Sequence, residues 1–223
     1  MLQKEIKKSI QKLVAILGFF ALNSTLFSQT VLLTPSEKYI GTSHGVNTSM
    51  VLFNPSVDQN YLFLGYNAGI SYRYITEKHF GLQLELKYSQ RGWSESDGKY
   101  IRRINYLELP MLTHLYFGNT HRFIFNLGPK IGYMLNESVV KNTASNPSSE
   151  QYKDVYFPFD YGLTAGFGYN LHTHNAGVYE IELRGYYGLS DIFANSKSDY
   201  FSTSNYLNIS LNLGWYFQLT GRK

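Results

Sequence analysis

Near the C-terminal end Leu207, Ile209, Leu211, Leu213, Trp215, Phe217 and Leu219 are apolar, and Asn208, Ser210, Asn212, Gly214, Tyr216 and Gln218 lie between them. A β-strand sends successive side chains to opposite faces, so this run has one apolar and one polar face. It is long enough to cross a bilayer, which takes about 9–11 residues of tilted strand. The alternation recurs more weakly at residues 40–53, 62–75, 80–93, 100–117, 122–136, 157–171 and 177–190, and the final strand is read at 204–219. Each segment exceeds the ~5–6 residues usual for a strand in a soluble sheet. The joins at residues 76–79, 118–121 and 172–176 are tight. Those at 54–61, 94–99, 137–156 and 191–203 are mostly longer and rich in Ser, Asn, Asp and Pro. The pattern predicts an all-β fold: an eight-stranded antiparallel up-and-down transmembrane β-barrel in an outer membrane. Short turns belong on the periplasmic side of such barrels, and an even strand count puts both termini there.

The parity of each segment sets which side chains face outward. Leu82, Leu84 and Leu86, Leu107, Leu109 and Met111, Phe123, Phe125 and Leu127, Leu163 and Phe167, and Ile181 and Leu183 form the apolar exterior. Outward aromatics gather at strand ends in register with the turns: Tyr72, Tyr74, Phe117, Phe123, Tyr169, Tyr179 and Trp215 at one rim, and Tyr88, Tyr133, Tyr161 and Tyr187 at the other. Two such bands suit the two headgroup regions of a bilayer.

The opposite parity places Glu85, Glu108, Asp160, Glu180 and Glu182 inside together with Arg73, Lys87, Arg91, Lys130 and Arg184. An eight-stranded barrel is just wide enough for its own side chains to fill it. Charges in that space must be paired and hydrogen-bonded. Five acids against five bases are therefore expected to form a structural interior network. Gly128, Gly132, Gly162, Gly166 and Gly168 are expected to make room for the larger members.

Composition narrows the chemistry. The chain has no cysteine, which excludes a disulfide scaffold, a zinc-thiolate site, a cysteine nucleophile and a lipidated N-terminal cysteine. Lys4, Lys7, Lys8 and Lys12 precede an apolar stretch from Leu13 to Leu22 and a polar exit, the arrangement of a secretory signal over residues 1–29. Residues 30–223 then form a single barrel domain. The signal holds four Lys and one Glu of the chain's 20 Lys+Arg and 16 Asp+Glu, so the remainder carries +1 rather than +4. A nearly neutral domain gives no ground for a nucleic-acid partner.

Searches for catalytic and ligand motifs yield little. Gly166-Phe167-Gly168 lacks the third glycine and following helix of a dinucleotide loop, and the G-x-S-x-G match at residues 41–45 lies inside the alternating segment 40–53 rather than at the strand-to-helix turn of a nucleophile elbow. His172 and His174 share a face at a strand end but lack a third metal ligand. His114 projects inward with Glu108, the two members from which a membrane lipid enzyme would build a Ser-His-acid set, but no nucleophile can be named. No cofactor, metal or catalytic residue is therefore expected. The loop at 137–156 is polar and turn-rich, a surface for an extracellular partner on a rigid scaffold.

Four stretches carry a family resemblance: Gly81-Leu82-Gln83-Leu84-Glu85-Leu86 running into Tyr88-Ser89-Gln90-Arg91-Gly92, Asn105-Tyr106-Leu107-Glu108-Leu109-Pro110, Asn126-Leu127-Gly128-Pro129-Lys130, and Arg184-Gly185-Tyr186-Tyr187-Gly188-Leu189. In these the chain resembles the PorT-like outer-membrane β-barrel family of Bacteroidetes over roughly residues 40–219. The resemblance implies an eight-stranded barrel, export, and insertion by the barrel-assembly machinery, with some members serving type IX secretion. The last strand also resembles the terminal signal read by that machinery, through Asn212, Gly214, Phe217 and Leu219, although the chain continues through Thr220-Gly221-Arg222-Lys223.

The expected function is a non-enzymatic outer-membrane barrel in contact with outer-membrane lipid. Its packed charged interior and extracellular loops would serve envelope structure, surface binding or secretion. The alternatives are a small-solute pore, the lipid enzyme noted above, and a soluble periplasmic lipid-binding barrel, which requires the apolar faces to point inward.

Overall fold

The computed structural model describes residues 32–59, 63–95, 100–142, 154–173, 175–195 and 200–221. The expected signal segment, His174 and residues 143–153 lie outside the described residues. Eight strands follow in order: β1 Leu32–Asn54, β2 Phe63–Glu77, β3 Phe80–Ser94, β4 Tyr100–Gly118, β5 His121–Asn142, β6 Phe159–Thr173, β7 Gly177–Asp191 and β8 Thr203–Thr220. Each pairs with its chain neighbours, and β1 pairs antiparallel with β8 from Lys38↔Thr220 to Asn54↔Thr203, which closes the barrel. Closure satisfies the backbone groups that an open edge would leave bare.

At one rim the strands run almost into one another. Lys78 and His79 alone join β2 to β3, and Asn119 and Thr120 alone join β4 to β5. Gly118 enters the second turn at φ +116°, and a Cβ there would lie 2.0 Å from the His121 carbonyl oxygen. The other rim carries the longer connections. There Gln59 mimics a strand neighbour: its amide donates to the Val51 carbonyl at 2.6 Å and its Oε1 accepts from the Val51 N–H at 3.3 Å.

The strand faces match the expected parity. Along β7 exposed and buried residues alternate from Val178 to Leu189, with Tyr179, Ile181, Leu183, Tyr187 and Leu189 outside and Glu180, Glu182 and Arg184 inside. The apolar faces point outward, away from the lumen, which is the reverse of what a soluble lipid-carrying barrel needs.

Two strands outrun the expected segments. β1 begins at Leu32 rather than residue 40; its first residues show no side-chain alternation, and the Thr220 hydroxyl donates to the Ser36 carbonyl at 3.3 Å. β5 continues to Asn142 rather than 136, so the first part of the expected 137–156 loop is strand. Backbone pairing with β4, Tyr100↔Asn142 to Ile104↔Glu137, holds this extension, and register shifts at Ile101/Arg102 and Asn105/Tyr106 bend it. Bulges break the period-2 alternation on which the sequence reading depends. The two mid-strand prolines also fall beside gaps in pairing. The β3–β4 pairing passes from Leu84↔Met111 to Lys87↔Glu108 around Pro110, and the β4–β5 pairing passes from Pro110↔Lys130 to Thr113↔Leu127 around Pro129.

Candidate functional site: the barrel lumen

The lumen is layered. At the short-turn rim Tyr39, Ile75, Tyr116, Ile124, Val178 and Tyr216 form an apolar cluster. At the other rim a larger one contains Trp93, Tyr100, Ile104, Tyr106, Phe193, Phe201 and Tyr206. All ten charged residues expected inside are buried between these layers.

Arg73 on β2 reaches Glu180 on β7 at 2.5 Å, donates to Gln83 Oε1 at 2.6 Å, and lies 4.2 Å over the Tyr216 ring. Farther along β3, Glu85 receives Arg184 of β7 bidentately at 2.7 and 2.8 Å, and the same guanidinium meets Glu182 at 2.6 Å. Lys87 donates to Asn212 Oδ1 on β8 at 3.2 Å and lies 4.0 Å from Glu85. Toward the longer rim Arg91 bonds both Glu108 of β4 and Asp160 of β6, the latter at 2.6 Å. Lys130 of β5 completes the Glu108 carboxylate at 3.1 Å, and the Tyr186 and Ser190 hydroxyls complete Asp160 at 2.7 Å each.

These contacts tie one side of the barrel to another. A buried charge without a partner is expensive, and here each carboxylate oxygen pair meets cations or hydrogen-bond donors. Arg91 is also ringed by Tyr106, Tyr186 and Tyr206, with its guanidinium carbon 4.5, 4.9 and 5.1 Å from the ring centroids. Electron-rich ring faces around a desolvated cation add to its stabilisation. Gly166 leaves the space that Glu182 fills: a Cβ there would sit 2.2 Å from Glu182 Oε1. A cavity of about 20 Å³ lies among Lys87, Lys130, Glu108, Arg184 and neighbouring polar groups. That is room for about one water molecule.

His114 and Glu108 do not come together as the sequence suggested. His114 is buried, but its Nδ1 lies 2.7 Å from Asn126 Oδ1, and the Asn126 amide donates to Glu182 Oε1 at 2.7 Å. Glu108 instead serves Arg91 and Lys130. Six positions along one strand separate His114 from Glu108, about 20 Å at the strand rise, so the two cannot act together. His172 packs edge-on against Tyr39 with ring centroids 6.0 Å apart. Among the described residues no group of three or more His, Asp or Glu is placed to hold a metal.

Of the four residues of the C-terminal signal, Asn212 and Gly214 face the lumen, while Phe217 and Leu219 point outward and are exposed. Sequence reasoning missed the tyrosines around Arg91, the buried Arg102 that pairs with Glu137, and the Arg122–Glu37 contact at 3.4 Å. Parity held the signal for most of these: Tyr106 and Arg102 share it with Glu108, and Tyr186 shares it with Arg184.

The chain is similar to the attachment invasion locus protein Ail of Yersinia pestis, at 15% identity over 81% of this chain and 99% of that one, with a TM-score of 0.43. OprG from Pseudomonas aeruginosa is similar at 11% identity over 81% and 96%, TM-score 0.49. Neisserial surface protein A is similar at 11% identity over 81% and 97%, TM-score 0.44. No curated protein sequence matches the chain. The family model that describes the outer membrane protein beta-barrel domain matches residues 27–194, and the chain belongs to that family.

Proposed function

We propose that this protein is a non-enzymatic outer-membrane barrel whose lumen is closed by its own side chains and whose work is done at its rims and loops. That work is envelope structure, surface binding or an accessory role in type IX secretion, the last suggested by the resemblance to the PorT-like family of Bacteroidetes. The observation that carries the reading is the charge network across the lumen, flanked by apolar clusters at both rims. A small-solute pore would need an open path, and porin channels use about 16–18 strands to make one.

In this reading residues 1–29 direct export and are removed. The barrel-assembly machinery engages Asn212, Gly214, Phe217 and Leu219, and the barrel then stands in outer-membrane lipid. Both termini and the short turns face the periplasm. Residues 137–156 face outward toward an extracellular or secretion-system partner, with 137–142 forming the strand that holds the loop at the rim.

The test uses the full chain in its own cells. The protein should fractionate with the outer membrane and migrate faster on a gel when unboiled. Because the chain has no cysteine, Ser148→Cys and Asn119→Cys each introduce a single thiol. An impermeant thiol reagent applied to intact cells should label the first and spare the second. Recovery in the soluble periplasm would overturn the membrane reading, and the opposite labelling would overturn the orientation.

A further inference from the structure

The outward face of β1 breaks the apolar belt. Where β1 runs beside β8, its outward residues include Thr42, His44 and Thr48; their partners on β8 are Trp215, Leu213 and Ile209. His44 is exposed, with the exposed side chains of Val46 two residues on and Leu213 across the pairing. Its Nδ1 lies 2.6 Å from the hydroxyl of Tyr66 on β2, which is also exposed on this face. An ionisable side chain on a lipid-facing surface is costly, and a bilayer core offers it no hydrogen-bond partner.

The His44–Tyr66 pair is half satisfied. If the Tyr66 hydroxyl donates to Nδ1, then Nε2–H is left as a donor and the Tyr66 oxygen as an acceptor. If Nδ1–H donates instead, Nε2 is left as an acceptor and the Tyr66 hydroxyl as a donor. In either tautomer one donor and one acceptor remain, on side chains that share one patch of surface. Such a pair complements a second copy of itself.

We propose that two copies of this chain associate side by side in the membrane through the outer face of β1 and β2, with His44 and Tyr66 at the contact. The proposal rests on the membrane reading above. Two barrels inserted in the same direction and related by a two-fold axis along the membrane normal bring the two pairs to the same depth. Nε2 of each His44 then meets the Tyr66 oxygen of the other copy, and the four groups close a ring of hydrogen bonds. An isologous contact of this kind needs one self-complementary patch and ends at the dimer.

The absence of cysteine makes the test direct. Thr42→Cys and Val46→Cys, each in the full chain and in its own outer membrane, are oxidised with copper phenanthroline and run without reductant. A Leu183→Cys protein, with its thiol on β7, is the comparison. Both β1 variants should give a disulfide dimer of twice the monomer mass, and Leu183→Cys should not. Adding Tyr66→Phe or His44→Leu should lower the dimer band roughly tenfold, the scale of losing a hydrogen-bond pair. The unboiled gel shift shows that each variant is folded; if Thr42→Cys loses it, Val46→Cys carries the test. Membrane-inserted, folded protein with no β1 dimer would overturn the proposal, as would equal dimer from Leu183→Cys or a β1 product with a protein of different mass. Loss of the protein from the membrane fraction would instead count against the membrane reading on which it rests.

Discussion

Strands β8 and β1, where the barrel closes, send no charged side chain among the network into the lumen; all ten charges come from β2 to β7. The seam presents Ser43, Asn47, Ser49, Asn208 and Asn212 instead. Two means of holding a barrel together are thus separated in one molecule. The seam relies on its backbone ladder and on neutral groups such as Ser49, whose hydroxyl donates to the Gly92 carbonyl and accepts from the Gly92 N–H, both at 2.9 Å. The charged wall relies on pairs that span the lumen, such as Arg73 with Glu180 and Arg91 with Asp160.

The contrast can be broken first at Arg91. Its removal leaves Glu108 and Asp160 buried without their shared cation. Arg91→Leu should lose about 3–5 kcal/mol, the usual cost of breaking a buried pair from one side. A urea titration of the detergent-folded barrel, followed by the unboiled gel shift, should show a much lower midpoint or no folded band. A change below about 1 kcal/mol would mean the network does not carry the wall.

A double-mutant cycle sharpens the same point. Arg73→Met alone should cost about 3 kcal/mol, because Glu180 is left unpaired apart from its hydrogen bond from Tyr216. The double variant Arg73→Met, Glu180→Leu should recover most of the loss, since neither charge remains. Equal destabilisation of single and double variants would show that packing, not charge pairing, holds this layer.

Gly166→Ala should cost about 1–3 kcal/mol, because its Cβ meets the Glu182 carboxylate that Arg184 and Asn126 hold in place. An unchanged urea midpoint would mean that Glu182 can move aside freely. At the seam the effect should nearly vanish. The Ser43 hydroxyl is buried with no partner among the described residues, so Ser43→Ala should change stability by less than about 0.5 kcal/mol. A loss comparable to that of Arg91→Leu would erase the distinction between seam and wall.

Much of this architecture is written in the sequence with period 2. Strand number, closing order and the side of each charge follow from parity and from tight turns such as Lys78-His79. The partners of the charges do not follow. Arg73 and Glu180 are 107 residues apart, and Arg184 and Glu85 are 99 apart; which of them meet depends on strand tilt and stagger across the lumen. The ends of β1 and β5 were hidden for another reason. The β5 extension is held by backbone pairing and interrupted by bulges, and the first residues of β1 show no side-chain alternation, so no period marks either. The aromatic ring around Arg91 was within reach of parity alone, but Tyr106 and Tyr186 sit next to the outward-facing Leu107 and Tyr187, which the alternation made more conspicuous.

The central claim is that side chains close the lumen, and conductance tests it most directly. Wild-type protein that shows the unboiled gel shift is reconstituted into planar bilayers and held under an applied voltage in salt. The account predicts no stepwise current above the protein-free bilayer. Stable, reproducible open-channel steps from the folded barrel would contradict it.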